Sequence, residues 1–332
     1  MMGLLRSLAV VLMLGATACA PVIRFPGPAT VTPALADEYV RTSDGLDLPL
    51  RKWLPPGEPT AVIVALHGFN DYSNSYAEPA KLWTGQGLAV YAYDQRGFGR
   101  GPHVGYWAGA QAMAADARQI AALVAARHPG KPIYFVGESM GGAVVMAAVA
   151  GRETAPVAGI VLSAPAVWGR STMNVFERTG LWLFSHTIPG MLVSGGGLDI
   201  TPSDNREMLR ALSRDPLVIK ETRMDAVHGL VDLMDLANAV ADQVKLPTLV
   251  LYGEKDEIVP AHSTYQMIAR LPQESTRRVA IYPNGYHMLM RDLQAKVVLN
   301  DIAAWIKDPT GPLPSGADLR AKEVLADRVK RG

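Results

Sequence analysis

The amino-acid sequence predicts an α/β fold, a mostly parallel and doubly wound sheet with an inserted helical cap. Continuous apolar runs of strand length, such as Ala61 to His67 and Leu88 to Tyr93, indicate strands that are buried on both faces of a parallel sheet. Helical stretches separate the strands, as at Ala108 to His128, which stops at Pro129-Gly130. Because strands alternate with helices, right-handed crossovers between parallel strands are expected.

The same alternation continues along the chain. Further strands are predicted at Pro132 to Val136, Gly159 to Ser163, Thr248 to Tyr252 and Arg278 to Tyr282. Further helices are predicted at Ser139 to Ala150 and at Leu293 to Ile306. Residues 36–164 and 246–307 are therefore expected to form one α/β core.

Residues 165–245 are too long for an ordinary connection between a strand and a helix, and we expect them to form an inserted helical cap or lid. Helical periodicity recurs at Met208 to Leu212 and at Ala226 to Ala237. The first half of the segment is unusually apolar. Its side chains could simply pack against the core, but we favour a lid that forms an apolar tunnel or docks on a membrane.

The first 19 residues have the layout of a secretory signal peptide, with Arg6, the apolar run Leu8 to Leu14 and small residues up to Cys19. Ala16-Thr17-Ala18 matches a signal-peptidase site that would release a soluble periplasmic or secreted protein. The same residues before Cys19 resemble a bacterial lipoprotein signal, although Ala16 stands where leucine is usual. Since Cys19 is the one cysteine of the chain, we favour its lipidation and a lipid-anchored protein of the bacterial cell envelope.

Two further segments flank the predicted core. Residues 20–35 are predicted to be a tether, because Pro21 to Pro33 is rich in proline and small residues, a composition that does not favour packing. Residues 308–332 form a tail that is punctuated by proline and glycine and then charged. No chemistry is assigned to the tail.

Charge and motifs exclude several classes of partner. The formal net charge is +1 with no basic cluster, so nucleic acid is not an expected partner. The chain has no dinucleotide glycine fingerprint, no phosphate-binding loop that ends in Gly-Lys-Ser/Thr and no His-Glu-x-x-His spacing. We therefore expect no cofactor and no metal.

The motif Gly137-Glu138-Ser139-Met140-Gly141 follows one predicted strand and opens the next predicted helix. This context is the one that a nucleophile elbow requires, a turn so tight that glycines flank the serine and its hydroxyl projects from the sheet. A serine that merely caps the helix is the alternative. The motif therefore indicates that Ser139 is a nucleophile.

A serine nucleophile needs a base, and the base needs an acid to orient it. After such an elbow the acid and the histidine follow in that order, each on a loop after a later strand. His287 lies in a loop after the last predicted strand, and Asp256 lies in the loop after the strand that ends at Tyr252. Glu254 and Glu257 lie in the same loop as Asp256 and remain alternatives for the acid.

His67-Gly68-Phe69 follows the predicted strand residues Ala61 to Leu66, where a second oxyanion donor is expected. The backbone N–H groups of Phe69 and Met140 are then predicted to stabilise the developing negative oxygen. His67 stands at a strand end, so we expect it to brace this loop rather than to act in catalysis.

Together, His67-Gly68, the segment Asp94 to Arg100, Gly137 to Gly142, Gly253 to Asp256 and His287 resemble the monoacylglycerol lipase and lysophospholipase branch of the α/β hydrolases. The resemblance covers Glu38 to Ile306. It implies Ser139, Asp256 and His287 as a catalytic triad, Phe69 and Met140 as oxyanion donors, and a cap that gates an acyl tunnel. Tyr72-Ser73 departs from the family, which usually has histidine and serine there, so the headgroup side of the pocket is expected to differ.

The implied reaction is hydrolysis of a single-chain lipid ester, a monoacylglycerol or a lysophospholipid, through an acyl-enzyme intermediate on Ser139. A membrane surface is an expected partner through lipidated Cys19 and the cap. Three alternatives stay open: a short-chain carboxylesterase, an acyltransferase, and a non-catalytic lipid-binding protein of the envelope.

Overall fold

The computed structural model describes residues 20–151, 155–196, 199–272 and 277–331. The predicted signal peptide, with Cys19, lies outside the described residues. Within the described part of the chain, no helix combines the length and the apolar character needed to span a bilayer.

Eleven strands are found among the described residues. In chain order they are β1 (Ala34–Leu35), β2 (Tyr39–Arg41), β3 (Asp47–Trp53), β4 (Ala61–Leu66), β5 (Leu88–Tyr93), β6 (Ile133–Glu138), β7 (Gly159–Ser163), β8 (Leu192–Val193), β9 (Thr222–Arg223), β10 (Thr248–Gly253) and β11 (Arg277–Tyr282). Nine of them form one sheet in the order β1-β2-β3-β5-β4-β6-β7-β10-β11. Strands β1 to β3 pair antiparallel at one edge, and the other six run parallel.

The parallel part of the sheet is buried because its strands are apolar along their whole length. Every residue of β4, β5, β6, β7 and β10 is buried. The predicted fold class, a mostly parallel sheet with helices on both faces, is confirmed. β6 extends two residues beyond its prediction, through Gly137 to Glu138, so the strand leads directly into Ser139.

The helices in chain order are α1 (Ala77–Thr84), α2 (Ala110–Arg127), α3 (Met140–Val149), α4 (Val175–Thr187), α5 (Arg206–Arg214), α6 (Met224–Ala239), α7 (Ala261–Arg270), α8 (Ala295–Lys307) and α9 (Ala317–Arg331). Two apolar clusters cover the faces of the sheet. One contains buried side chains of α2, α3 and α6. The other contains α1 and α8, which contribute the buried indoles of Trp83 and Trp305.

The segment between β7 and β10 contains α4, α5, α6 and the antiparallel pair β8–β9. Helix α6 packs against α3, the helix that follows the predicted nucleophile. The helical periodicity noted at 208–212 and 226–237 belongs to α5 and α6. Helix α4 lies in the apolar first half of the segment and begins with a capping box. Asn174 accepts from the Glu177 N–H, and the Glu177 side chain accepts from the Asn174 N–H.

Part of the predicted tether is bonded to the core, although residues 24–32 are exposed. Ile23 forms a parallel bridge with Trp107, and the Arg24 N–H donates to the Trp107 carbonyl at 2.7 Å. The Val22 N–H donates to Asp225 Oδ2 at 3.3 Å. Backbone groups pair independently of side-chain composition, so a proline-rich segment can still be held by them.

The tail also has structure. Helix α9 packs on the edge strand β11, where Ala317 and Ala321 are buried. Arg278 Nη1 donates to Asp318 Oδ2 at 2.9 Å and joins the helix to the strand. The charged face of α9 dominates its sequence, and the small buried alanines give only a weak apolar signal.

Candidate active site

Ser139 lies in the turn between β6 and α3 and has a positive φ of 52°. That conformation is rare for a residue other than glycine, and strain of this kind is typical of a nucleophile elbow. The backbone near this turn approaches too closely for side chains at the flanking glycines. A Cβ on Gly141 would lie 2.1 Å from the Leu66 carbonyl oxygen, and a Cβ on Gly137 would lie 2.5 Å from the Gly141 carbonyl oxygen. The glycines therefore permit the turn that presents Ser139.

His287 lies in the loop after β11, and its Nδ1 is 2.9 Å from Asp256 Oδ2. The other oxygen of Asp256 accepts from the N–H groups of Ile258 at 2.8 Å and Val259 at 2.9 Å. Both oxygens of the carboxylate are thereby engaged. This arrangement keeps a proton on Nδ1 and leaves Nε2 of His287 as the acceptor.

The two glutamates that remained as alternatives for the acid face other partners. Glu254 Oε2 forms an ion pair with Arg320 at 2.9 Å. Glu257 accepts from the Thr201 N–H at 2.6 Å. Of the three acidic residues in this loop, Asp256 is the one that the structure places against the imidazole.

Ser139 and His287 face the same cavity, which has a volume of about 370 Å³. Gly68 and Phe69, from the loop after β4, line it as well. Much of the remaining lining is apolar and comes from the inserted segment and the loop after β10: Trp168, Met173, Val227, Leu230, Val231, Met234, Ile258 and Val259. The predicted nucleophile and base therefore open onto an apolar pocket.

The two predicted oxyanion donors flank Ser139. A Cβ on Gly68 would lie 3.5 Å from the Ser139 Cβ, so the loop that carries Phe69 passes directly beside the serine. Met140 is the first residue of α3, where backbone N–H groups have no partner within the helix. Among the described residues, neither the Phe69 N–H nor the Met140 N–H has a protein acceptor. Both groups are therefore free to bind an oxyanion.

His67 is buried behind this loop and braces it. Its Nε2 accepts from the Gln95 N–H at 3.0 Å, so Nδ1 carries the proton and donates to the Gly68 carbonyl at 2.8 Å. Burial lowers the pKa of His67, which keeps the imidazole neutral. His67 does not line the cavity.

The electrostatic environment of His287 differs from that of His67, because a carboxylate contacts its ring. Burial alone lowers the pKa of this histidine, but the charge and hydrogen bond of Asp256 and the charge of Glu138 together outweigh burial. The pKa of His287 is therefore raised. An imidazole with this environment gains a proton readily, as a general base must.

Comparison with known proteins agrees with this site. The profile of the serine aminopeptidase S33 family, Hydrolase_4, matches residues 57–294, which include every residue of the predicted triad. The chain belongs to this family.

Individual relatives align with most of the length of this chain. A monoacylglycerol lipase of Mycolicibacterium smegmatis is 29% identical over 258 residues, which cover 76% of this chain and 90% of that protein. The monoglyceride lipase of Homo sapiens is 26% identical over 287 residues, with 82% and 90% covered. These similarities confirm the predicted resemblance and the predicted enzyme class, a carboxylic ester hydrolase.

Solved structures agree on the fold. A monoacylglycerol lipase of Paleococcus ferrophilus superposes with a TM-score of 0.62 at 24% identity and covers 78% of this chain and 98% of that chain. A soluble variant of the Saccharomyces cerevisiae monoglyceride lipase, in complex with a substrate analogue, has a TM-score of 0.68 at 19% identity and covers 86% and 98%. The fold is thus that of the α/β hydrolases.

Sequence reasoning missed three charged residues in the site of this S33 family member. Asp71, Glu138 and Arg291 all line the cavity beside Ser139 and His287. Signals in the sequence could have drawn attention to two of them. Glu138 directly precedes the serine, and Arg291 interrupts the apolar run that begins after His287.

Proposed function

We propose that the protein hydrolyses esters of single-chain lipids, such as a monoacylglycerol or a lysophospholipid, through an acyl-enzyme intermediate on Ser139. One observation carries the proposal: a strained serine and His287, whose Nδ1 lies against Asp256, open onto the same largely apolar cavity. The family match adds support, because it spans the predicted serine, acid and histidine.

In the first half-reaction, Ser139 Oγ attacks the ester carbonyl carbon while His287 Nε2 takes the hydroxyl proton. The Phe69 and Met140 N–H groups donate to the negative oxygen that forms, and each is worth about 3–4 kcal/mol of transition-state stabilisation. The carbon–oxygen bond to the alcohol then breaks. The alcohol leaves with the proton from Nε2, and the acyl group stays on Ser139.

In the second half-reaction, water replaces the alcohol. His287 Nε2 takes a proton from the water as its oxygen attacks the acyl-enzyme carbonyl. The tetrahedral intermediate collapses, Oγ leaves and recovers its proton, and a fatty acid is released. Asp256 stabilises the charged imidazole in both halves.

The cavity supports a lipid acyl chain as the substrate group. Its walls include Met173, Leu230, Val231 and Met234 from the inserted segment, so a hydrocarbon chain would leave water for an apolar surface. A volume of about 370 Å³ lies in the range of small-molecule sites. Relatives that match most of the chain are named monoacylglycerol or monoglyceride lipases.

A labelling experiment tests the nucleophile. A fluorophosphonate probe should attach to the purified protein at Ser139 and abolish ester hydrolysis. Ser139→Ala should remain folded, lose labelling and lose hydrolysis. Equal labelling of both proteins would contradict the assignment, and an unlabelled wild-type protein would favour a non-catalytic lipid-binding role.

Substrate comparison tests the lipid class. We expect a higher kcat/KM for a long-chain monoacylglycerol than for p-nitrophenyl acetate. Leu230→Trp, which would fill part of the cavity, should lower kcat/KM for the long chain far more than for the acetate ester. A preference of the wild-type protein for acetate would instead identify a short-chain carboxylesterase.

We further propose that the protein is exported to the bacterial cell envelope, anchored by lipidated Cys19, with α4 against the membrane. Helix α4 exposes large apolar side chains, including Phe176 at 85% and Trp182 at 59%. Val22 bonds to Asp225, whose N–H donates to the carbonyl of Pro189 just after α4. The chain that follows Cys19 therefore starts beside this helix, and an anchor at Cys19 would hold α4 near the lipid surface.

Mass spectrometry of the mature amino terminus tests the anchor, and an unmodified first residue would contradict it. Vesicle flotation tests the helix. Phe176→Ser should reduce binding of the Cys19→Ala protein to lipid vesicles. Leu54→Ser removes an exposed apolar side chain far along the chain from the cap and should leave binding unchanged. Equal binding of the two serine variants would contradict the role of α4.

A further inference from the structure

Arg291 lies four residues after His287, and its guanidinium is held between two carboxylates. Nη1 donates to Asp71 Oδ2 at 2.7 Å, and Nη2 donates to Glu138 Oε2 at 2.9 Å. All three side chains are at least nine-tenths buried. A buried charged group with two carboxylate partners is held in a narrow range of positions.

Each of these residues belongs to a different segment of the site. Asp71 is two residues after Phe69, in the loop of the proposed oxyanion donor. Glu138 directly precedes Ser139, and Arg291 lies in the turn that follows His287. One side chain therefore joins the loops that carry the oxyanion donor, the nucleophile and the base.

We propose that Arg291 is a positioning residue that keeps Phe69, Ser139 and His287 in the relative arrangement that the reaction requires. The proposal rests on the hydrolase mechanism proposed above. Arg291 acts through the loops that it joins rather than on the ester itself. A shift of about 1 Å between reacting groups can lower a rate on the order of a hundredfold, so such a brace has a measurable effect.

Stability alone does not account for this cluster. A buried ion pair often contributes no more stability than apolar side chains of similar volume. Arg291 Nε and Glu138 Oε1 are moreover buried without a hydrogen-bond partner among the described residues. Such unpaired groups destabilise the folded state. The geometry that the cluster imposes on the loops is the better explanation.

The charges of the cluster also act on His287, in opposite directions. The ionised groups that face this histidine are Asp256 from the loop after β10, Glu138 from the end of β6, and Arg291 from its own loop. Glu138 raises the pKa of His287, and Arg291 lowers it. Removing one or the other charge should therefore move the titration of His287 in opposite senses.

The test compares Glu138→Gln with Arg291→Met in the whole protein, using hydrolysis of a monoacylglycerol as the assay. Both variants should lower kcat by roughly ten- to hundredfold with KM changed by less than about threefold. In the profile of kcat/KM against pH, the acid limb should move to lower pH in Glu138→Gln and to higher pH in Arg291→Met. A role in packing alone would not produce shifts of opposite sign.

A second buried arginine provides a matched control. Arg96 is held between Asp44 at 2.6 Å and Asp116 at 2.5 Å, and none of the three lines the cavity. Asp71→Asn and Asp44→Asn each remove one carboxylate charge. Each arginine then keeps one carboxylate partner, and the pair that they form has no net charge. Both should lower the thermal midpoint, but only Asp71→Asn should lower kcat.

The outcomes separate this proposal from the proposed function. Two outcomes would overturn the role of Arg291 alone, provided that the wild-type protein is active. In the first, Asp71→Asn and Asp44→Asn lower kcat equally. In the second, the acid limb moves in the same direction in Glu138→Gln and Arg291→Met. A wild-type protein that neither hydrolyses esters nor reacts with the fluorophosphonate overturns both. If Arg291→Met does not fold, the two isosteric variants Glu138→Gln and Asp71→Asn still decide.

Discussion

At the scale of single residues, the contact between Asp256 and His287 should set the pH range in which the proposed reaction proceeds. The pKa of His287 lies above its ordinary value of 6.5, although burial alone would lower it, because Asp256 stabilises the charged imidazole. Only the neutral imidazole can take the serine proton. In the proposed mechanism, activity should therefore fall as pH drops through the raised pKa of His287.

Replacing the acid tests this account. Asp256→Asn should lower kcat on the order of 10⁴-fold, because the imidazole loses both its orientation and the charge that stabilises it. The pKa of His287 should fall, so the acid limb of the residual kcat/KM should move to lower pH. Steady-state kinetics across the acidic range measures both effects.

Glu257→Gln is the matched control for that experiment. It changes a neighbouring acid of the same loop, which contacts the Thr201 N–H rather than the imidazole. Its kcat and its acid limb should resemble those of the wild-type protein. A large loss of kcat in Glu257→Gln with little change in Asp256→Asn would reverse the assignment of the acid.

At the scale of elements, the turn between β6 and α3 depends on the absence of side chains. Gly141→Ala would place a Cβ 2.1 Å from a backbone oxygen of β4, so the turn or the strand must move. We expect a loss of about 1–3 kcal/mol of unfolding free energy, together with most of the activity. Urea unfolding and ester hydrolysis measure the two.

Gly180 supplies the contrast for this prediction. It lies inside α4 with open space around its missing Cβ. Gly180→Ala should stabilise the protein by up to about 1 kcal/mol, because alanine is the better helix former. If Gly141→Ala were as well tolerated as Gly180→Ala, the close approach at the elbow would not matter.

A second pair of elements meets where the inserted segment touches the histidine loop. Ser203 Oγ donates to Asp292 Oδ1 at 2.6 Å, and Asp292 Oδ2 accepts from the Tyr286 N–H at 2.8 Å. The Met288 N–H donates to the Pro202 carbonyl at 3.0 Å. The segment before α5 is thus bonded to the residues on either side of His287.

This junction predicts a pH-dependent stability. Burial raises the pKa of Asp292 from 3.8 to about 6, and the charges of Asp204 and Glu138 add to the effect. The stability that this group contributes is present below its unfolded pKa and is lost as pH rises through its folded pKa. Relative to Asp292→Asn, the wild-type thermal midpoint should therefore fall between about pH 4 and pH 6. If the thermal midpoints of the two proteins changed with pH in the same way, this account would be contradicted.

At the scale of the whole molecule, the C-terminal helix α9 covers the last strand of the sheet. Ala321 is 1% exposed, whereas Leu319 on the same helix is 59% exposed. The edge strand β11 precedes the loop that carries His287, so a helix that packs there supports the site from outside. An uncovered edge strand is also a template for aggregation.

Two aspartate substitutions test this packing. Ala321→Asp would bury an unpaired charge and should lower the unfolding free energy by about 2–4 kcal/mol. Leu319→Asp should change it by less than about 0.5 kcal/mol, since its side chain faces solvent. Thermal unfolding compares the two. Equal effects would mean that α9 does not pack on β11.

The sequence alone predicted the parallel sheet and the elbow because both depend on local patterns. Strands buried on both faces are continuously apolar, so Leu88 to Tyr93 and Gly159 to Ser163 were predicted with the bounds that the structure shows. The glycines around Ser139 indicate a turn that is too tight for larger residues. Chain order then pointed to His287 and to Asp256, with Glu254 and Glu257 as alternatives in the same loop.

Only the tertiary structure showed the partner of each acid and brought Arg291 into the site. Spacing from the strand and the family resemblance favoured Asp256 over Glu254 and Glu257, and the structure shows that Asp256 is the one that faces the imidazole. Asp71 and Arg291 are 220 positions apart. Contacts across such a distance depend on how strands are ordered in the sheet, which no local pattern records. The packing of the N-terminal segment escaped prediction for the same reason, since its backbone partner Trp107 is remote in sequence.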